Sequence, residues 1–155
     1  MKRFCPTAPI IAVRLVLPLV GRYSSSPDGN LSEGIGYYEN EEYQQAVDAF
    51  TKIIRTDPRH VDAYLLQGAA HSMLGQYQGA IKDFDTAIRL KPDHALGYYN
   101  KGYAYDELGK FESAITEYDK AIQLNPDLGV VYLKRRTELS FVIFIAGQKI
   151  VLTSL

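Results

Sequence analysis

Histidines and carboxylates are the residues of this chain that could do metal or acid–base chemistry. His60 and His94 stand 34 positions apart, and His71 lies between them. A zinc site needs histidine or cysteine ligands at short regular spacings, and the sequence has one cysteine and no such pair. Asp83 and Asp85 are two positions apart, so their side chains would leave a helix on different faces. The pattern therefore predicts no metal ligands and no catalytic carboxylate pair, and packing or solvent exposure explains the histidines better.

Other motifs that bind cofactors or carry catalysis are also missing. The glycine-rich phosphate loops and the nucleophile elbow do not occur in the sequence. We therefore expect no cofactor and no enzymatic activity. Residues 28–128 hold 17 acidic residues and 9 lysines and arginines, a net charge of −8, whereas the two ends of the chain are basic. Since an acidic surface repels phosphate backbones, we expect no binding of nucleic acid.

A 34-residue period organises the middle of the chain. Small residues, aromatic residues and prolines recur in register three times: Gly34, Gly68 and Gly102; Ala46, Ala80 and Ala114; Phe50, Phe84 and Tyr118; Pro58, Pro92 and Pro126. Each glycine is expected to face the alanine of its own repeat, because small residues let two helices approach closely. The prolines block continuation of a helix. Apolar residues at helical spacing predict helices over 28–40, 43–56, 61–74, 77–90, 95–108 and 111–124.

These columns resemble the tetratricopeptide repeat family. The second repeat carries the family's residues at Tyr64, Gly68, Ala80, Phe84, Ala87 and Pro92, and the third at Tyr98, Gly102, Tyr105, Ala114, Tyr118, Ala121 and Pro126. The first repeat is looser, with Asn30 and Ile53 at two of these positions. The resemblance implies an all-α, right-handed superhelical solenoid of helix-turn-helix repeats, at 27–60, 61–94 and 95–128, followed by a partial fourth helix.

The family's architecture implies a concave groove, lined by the first helix of each repeat, that binds a peptide or helix of a partner protein. The expected lining is apolar and aromatic, with a carboxylate at one edge: Leu31, Ile35, Tyr38, Leu65, Leu66, Ala69, Met73, Leu96, Tyr99, Asn100, Tyr103 and Asp106. Tyr99 and Tyr103 would be the anchors, although packing against a neighbouring helix or the C-terminal tail is an equal alternative. The rival function is a structural spacer or self-association module.

One known partner of such repeats can be tested against the sequence. Some family members grip the acidic tail of heat-shock chaperones with a Lys, Asn, Asn, Lys, Arg set. Counted from the first repeat, the matching positions hold Leu31, Ile35, Leu66, Leu96 and Asn100. Counted from the second, they hold Leu65, Ala69, Asn100, Val130 and Lys134. Leucine cannot replace a charge-assisted donor to a carboxylate, so we expect no binding of the chaperone tail.

The two ends of the chain fall outside the pattern. Residues 1–26 are basic and partly apolar, which fits a secretory signal, a mitochondrial transit peptide or a disordered extension. The expected location is cytoplasmic if this segment is not a signal, and secretory or mitochondrial otherwise. Residues 129–155 form a degenerate fourth repeat, with Arg136 where glycine belongs, and an apolar tail. The tail could cap the array, dock on a partner or a membrane, or be an altered terminus.

Overall fold

The computed structural model describes residues 29–128, 131 and 134–137, and six helices account for most of this range. They are α1 (Gly29–Glu39), α2 (Tyr43–Thr56), α3 (Val61–Met73), α4 (Tyr77–Leu90), α5 (Ala95–Glu107) and α6 (Phe111–Leu124). Val131 and residues 134–137 are helical as well. The helices agree with the sequence prediction to within one residue at each end. Consecutive helices pair into hairpin one (α1–α2), hairpin two (α3–α4) and hairpin three (α5–α6).

The chain divides into two compact units, at residues 1–90 and 91–155. In the described residues, unit one holds hairpins one and two, and unit two holds hairpin three together with Val131 and residues 134–137. The predicted targeting segment at residues 1–26 and the predicted apolar tail at residues 139–155 lie outside the described residues.

Each hairpin closes where a glycine of its first helix meets an aromatic ring of its second. A Cβ on Gly68 would stand 2.6 Å from Cε1 of Phe84, which is closer than carbon atoms can approach without movement. The same relationship joins Gly34 to Phe50, at 2.5 Å, and Gly102 to Tyr118, at 2.6 Å. The prediction that each glycine faces an alanine therefore missed the nearest neighbour, which is an aromatic ring in all three hairpins; in hairpin three the same Cβ would also stand 3.2 Å from Ala114 O. The alanines are fully buried, but the aromatic ring takes the space that the missing side chain leaves.

The turns inside the three hairpins share one backbone conformation. Gly75 and Gly109 have φ angles of 72° and 71°, and Glu41 occupies the same position in hairpin one with a φ of 63°. In each turn the next amide donates back to a carbonyl five residues earlier, as Gln76 N–H does to His71 O at 2.8 Å. This bond closes the end of the first helix in a Schellman arrangement. Glutamate pays a steric cost at this position that glycine avoids.

The second helices of hairpins one and three end in extended residues that precede prolines. Asp57 has φ −131° and ψ 90°, and Asn125 has φ −144° and ψ 94°. Proline disfavours the helical conformation in the residue before it, so the sequence stops both helices there. The two side chains then accept hydrogen bonds from amides two residues on, from Arg59 at 3.0 Å and from Asp127 at 3.1 Å. These bonds fix the turn that leads out of the hairpin.

The core of unit one fills the space between three helices. Buried apolar side chains of α1, α2 and α3 form one cluster, in which Phe50, Ala46 and Ala70 have no exposed surface. A polar bond joins the two hairpins beside this cluster. Gln67 on α3 donates through Nε2 to Thr51 Oγ1 at 2.6 Å and to Val47 O at 3.3 Å, both on α2. The junction between hairpins one and two is therefore held by apolar packing and by a specific side-chain bond.

The core of unit two is aromatic. The rings of Tyr99 on α5 and Tyr118 on α6 lie with centroids 5.9 Å apart, and both residues are at most 1% exposed. Val131 is fully buried. Arg135 pairs with Asp119 of α6, and Lys134 pairs with Asp106 of α5. The helical residues after hairpin three are thus tied to both of its helices.

Candidate partner-binding face

In unit one, the residues predicted to line the groove are mostly core residues. Leu31, Ile35 and Tyr38 of α1, and Leu65, Leu66 and Ala69 of α3, are between 1% and 6% exposed. Five of them, all but Leu65, belong to the cluster that α1, α2 and α3 share. Met73 packs against that cluster and is half-buried. The structure therefore gives these side chains a packing role, and Met73 keeps the largest accessible fraction among the predicted residues of this unit.

In unit two, packing is also what the structure shows for the two predicted anchors. Tyr99 is 1% exposed and packs against Tyr118 with the two rings tilted by 36°. Tyr103 is 8% exposed beneath the ammonium group of Lys134, which lies 5.4 Å from its ring centroid. Asn100 is 8% exposed. Leu96 and Asp106 are half-buried and keep accessible surface on α5. Of the two alternatives for the tyrosines, packing is the one that this arrangement supports.

The burial of the two tyrosines has different causes: Tyr99 packs against Tyr118 of α6, and Tyr103 lies beneath Lys134, in the helical residues that follow hairpin three. Periodicity places Tyr99 and Tyr103 on a common face of α5, but it does not show what lies over that face. Lys134 supplies part of the cover, with its ammonium on the ring of Tyr103 and on the carboxylate of Asp106. Burial raises the pKa of Tyr99 to about 12, with the negative charge of Asp106 as a second cause. Tyr99 therefore stays a neutral core phenol at ordinary pH.

Two polar pairs inside the hairpins escaped the sequence reasoning. His71 Nδ1 lies 2.7 Å from Asp83 Oδ2 in hairpin two, and Lys101 Nζ lies 2.8 Å from Glu117 Oε1 in hairpin three. All four side chains are between 15% and 20% exposed. Asp83 and Glu117 occupy the same position of the 34-residue repeat. This shared acidic position could have indicated the two pairs, because it places a carboxylate opposite the first helix in both hairpins.

No chemistry beyond binding emerges from the described residues. Within residues 29–128, 131 and 134–137, no group of three or more histidine, cysteine, aspartate or glutamate side chains could hold a metal ion. None of the helices in these ranges is long and apolar enough to cross a membrane. An open depression on hairpin three has a lining without any of the predicted groove residues: Tyr98, Thr116, Glu117, Asp119, Lys120 and Gln123.

Comparison with known families agrees with an all-α array of helical hairpins. Three family models match: a tetratricopeptide repeat model over residues 31–84, a TPR repeat model over 73–109 and a second tetratricopeptide repeat model over 95–128. The chain belongs to the tetratricopeptide repeat family, and its fold is that of a non-catalytic protein-interaction scaffold. A comparison with curated protein sequences gives no match.

Solved structures of similar fold are tetratricopeptide repeat solenoid domains. The first TPR of Spaghetti (RPAP3), bound to the HSP90 peptide SRMEEVD, is 23% identical, with a TM-score of 0.72 over 74% of this chain and 90% of that one. The Arabidopsis OM64 TPR domain is 20% identical, with a TM-score of 0.71 over 72% and 93%. MamA is 26% identical, with a TM-score of 0.70 over 77% and 72%. These likenesses establish the fold class of the chain.

Proposed function

We propose that the chain binds a peptide or helix of a partner protein through the first helices of its hairpins, in an adaptor or assembly role. The observation that carries this proposal is the family itself. Similar domains include the first TPR of Spaghetti bound to an HSP90 peptide and the second TPR domain of human RPAP3 in complex with an HSP70 peptide. Stacked repeats of this kind present an extended concave surface, and binding to that surface is what the fold offers.

The chemistry of the first helices favours a ligand with apolar anchors. Met73 on α3 and Leu96 on α5 are the apolar residues of the predicted set that keep accessible surface, and each lies in a different unit. Asp106, near the end of α5, carries a carboxylate that is paired with Lys134. In either unit, an apolar side chain of an amphipathic helix or of an extended peptide would match the accessible apolar residue.

The positions of a carboxylate clamp argue against an acidic chaperone tail as that ligand. Leu31, Ile35 and Leu66 are apolar and no more than 6% exposed, so they offer a carboxylate neither a donor nor free surface. Among the described residues of both possible frames, Asn100 and Lys134 alone carry nitrogen donors in their side chains. Absence of chaperone-tail binding therefore remains a prediction of this proposal.

Site-specific photo-crosslinking in cells of the source organism tests the proposal. A photoreactive phenylalanine analogue is placed at Met73 or Leu96 in the full chain, and at exposed Lys82 of α4 or Gln123 of α6 as matched controls. The same partner protein should be captured from both first-helix positions and from neither control. Equal capture from all four positions would contradict a first-helix binding face. Capture of a second copy of the chain would instead identify a self-association module.

A further inference from the structure

A cation and an anion of unit two neutralise each other on the first-helix side of hairpin three. Lys134 Nζ lies 2.8 Å from Asp106 Oδ2, and the two side chains are 24% and 12% exposed. The ammonium also lies 5.4 Å from the ring centroid of Tyr103. Water and salt screen the attraction within an ion pair this buried far less than they screen a pair on the surface. The carboxylate of Asp106 therefore neutralises the positive charge of Lys134 and occupies one of its three N–H donors.

The pair is an exception among the repeats. The positions equivalent to Asp106 hold Tyr38 and Ser72, and the positions equivalent to Lys134 hold Ser32, Leu66 and Asn100. In the described repeats, the acid thus occurs in its column only where the lysine occurs in the next first helix. This coincidence indicates that the two residues form one functional unit rather than two independent surface charges.

Lys134 is also the one cation at a position where related repeats could grip an acidic ligand. Counted from the second repeat, the clamp positions hold Leu65, Ala69 and Lys134 among others, and the first two are buried and apolar. A ligand carboxylate that approached Lys134 would meet an ammonium already occupied by Asp106. It would also meet the negative charge of Asp106 itself, which repels a second carboxylate.

We propose that Asp106 is a specificity-determining residue: its carboxylate occupies Lys134 from within the chain and so excludes ligands that end in acidic residues. The inference rests on the proposed binding function, because it assigns the selectivity of the same first-helix face. Exclusion by an internal like charge is a recognised route to specificity, since unfavourable contacts with wrong partners discriminate as well as favourable contacts with the right one. The chain thereby selects ligands with uncharged, apolar anchors.

Peptide titration of the full chain tests the exclusion directly. The probe is fluorescently labelled SRMEEVD, the acidic peptide found in the Spaghetti complex. The wild type should bind this peptide too weakly to saturate, so the initial slopes of the titrations are compared. Asp106→Asn keeps the shape of the side chain and removes its charge, so that slope should rise about tenfold, the worth of one charge-assisted hydrogen bond. Adding Lys134→Gln should cancel the gain, and amidating the C-terminus of the peptide should reduce it. Glu112→Gln removes an equal charge from an exposed position of α6 and should change affinity less than about twofold.

A second measurement separates this proposal from the binding function on which it rests. Brief acetylation of the full chain, read by mass spectrometry at Lys134, reports how strongly Asp106 shields the amine without any ligand. Asp106→Asn should raise the acetylation rate of Lys134 several-fold relative to Lys110, and Glu112→Gln should leave it unchanged. Equal rates in the wild type and Asp106→Asn would show that the carboxylate does not hold the amine, and the proposal would be overturned.

Faster acetylation without any gain in peptide affinity would also overturn the proposal, because Asp106 would then hold Lys134 without controlling which ligands bind. Failure of the crosslinking experiment would instead remove the binding function while leaving the acetylation result intact. An equal gain in peptide affinity from Glu112→Gln would assign the effect to net charge and not to Asp106.

Discussion

The ring of Phe84 lies so close to the backbone of Gly68 that hairpin two has no room for a methyl group between them. The distance of 2.6 Å from a Cβ at Gly68 to Phe84 Cε1 compares with 3.4 Å or more for ordinary contacts. Gly68 and Phe84 both belong to helices, and Phe84 is 1% exposed, so neither residue can move without disturbing the core. The repeated glycine of the first helices is therefore a steric requirement of the aromatic column.

Replacing Gly68 with alanine should destabilise unit one. Overpacking of a close-packed core costs about 1–3 kcal/mol, which exceeds the gain of up to about 1 kcal/mol in helix propensity from glycine to alanine. Urea denaturation followed by circular dichroism would measure the loss in the free energy of unfolding. Gly36→Ala is the matched control, because a Cβ at Gly36 of α1 meets nothing within 4 Å. It should stabilise the chain, and a loss at both sites would contradict the steric explanation.

The turn of hairpin one offers a stabilising substitution. Glu41 has a φ of 63°, in the left-handed region where glycine stands in the other two turns. Glu41→Gly should raise the free energy of unfolding by about 1 kcal/mol, because glycine has no Cβ to clash in this conformation. Gly75→Ala, made at the equivalent turn, should lower it by a similar amount. A stabilising Gly75→Ala, measured by the same urea titration, would show that these turns do not require the left-handed backbone.

The hydroxyl of Tyr38 contributes little to stability. Tyr38 is 4% exposed, its Oη has no hydrogen-bond partner within the described residues, and its ring packs edge-on against Tyr43. Tyr38→Phe should therefore leave the unfolding free energy unchanged or raise it by up to about 1 kcal/mol, because a buried donor without a partner is unfavourable. Tyr98→Phe provides the contrast, since its hydroxyl donates to Pro92 O at 3.1 Å. A marked loss in Tyr38→Phe would indicate a partner for this hydroxyl.

Alkaline pH should unfold the chain partly through Tyr99. Burial raises the pKa of Tyr99 from 10.0 to about 12, so above pH 10 the unfolded chain releases a proton that the folded chain still holds. The resulting stabilisation is fully present below pH 10 and is lost as the pH rises through about 12. Between pH 9 and pH 11, the free energy of unfolding measured by urea titration should decrease by about 1 kcal/mol more in the wild type than in Tyr99→Phe. Equal falls in both proteins would exclude this contribution.

Much of the fold could be predicted because its determinants act locally. Prolines and turn glycines set the ends of helices through the backbone of their own neighbourhood, so the 34-residue period located all six helices. Which side chain fills the space beside a glycine is a property of two helices together. The sequence therefore predicted an alanine opposite Gly68, where the structure places Phe84.

The candidate site was less predictable for the same reason. Helical periodicity assigned Tyr99 and Tyr103 to a face, but the cover of that face comes from other segments: Tyr118 of α6 packs against Tyr99, and Lys134 lies over the ring of Tyr103. The contact between Asp106 and Lys134 spans 28 positions, and nothing in the local pattern of either residue indicates it. A comparison of equivalent positions in the repeats would have suggested the pair. It shows that Asp106 is the acidic residue of its column and Lys134 the basic residue of its own.

The bond from Gln67 to α2 has a consequence for how such a chain can evolve. The pairs His71–Asp83 and Lys101–Glu117 close within one hairpin and would travel with it if a 34-residue block were duplicated or exchanged. Gln67 instead reaches acceptors in the block before it, and its equivalents are Glu33 and Lys101, which carry opposite charges. The 34-residue blocks share a length and a pattern, yet they are not interchangeable. The residue at the position of Gln67 differs from block to block, so each block suits a particular preceding neighbour.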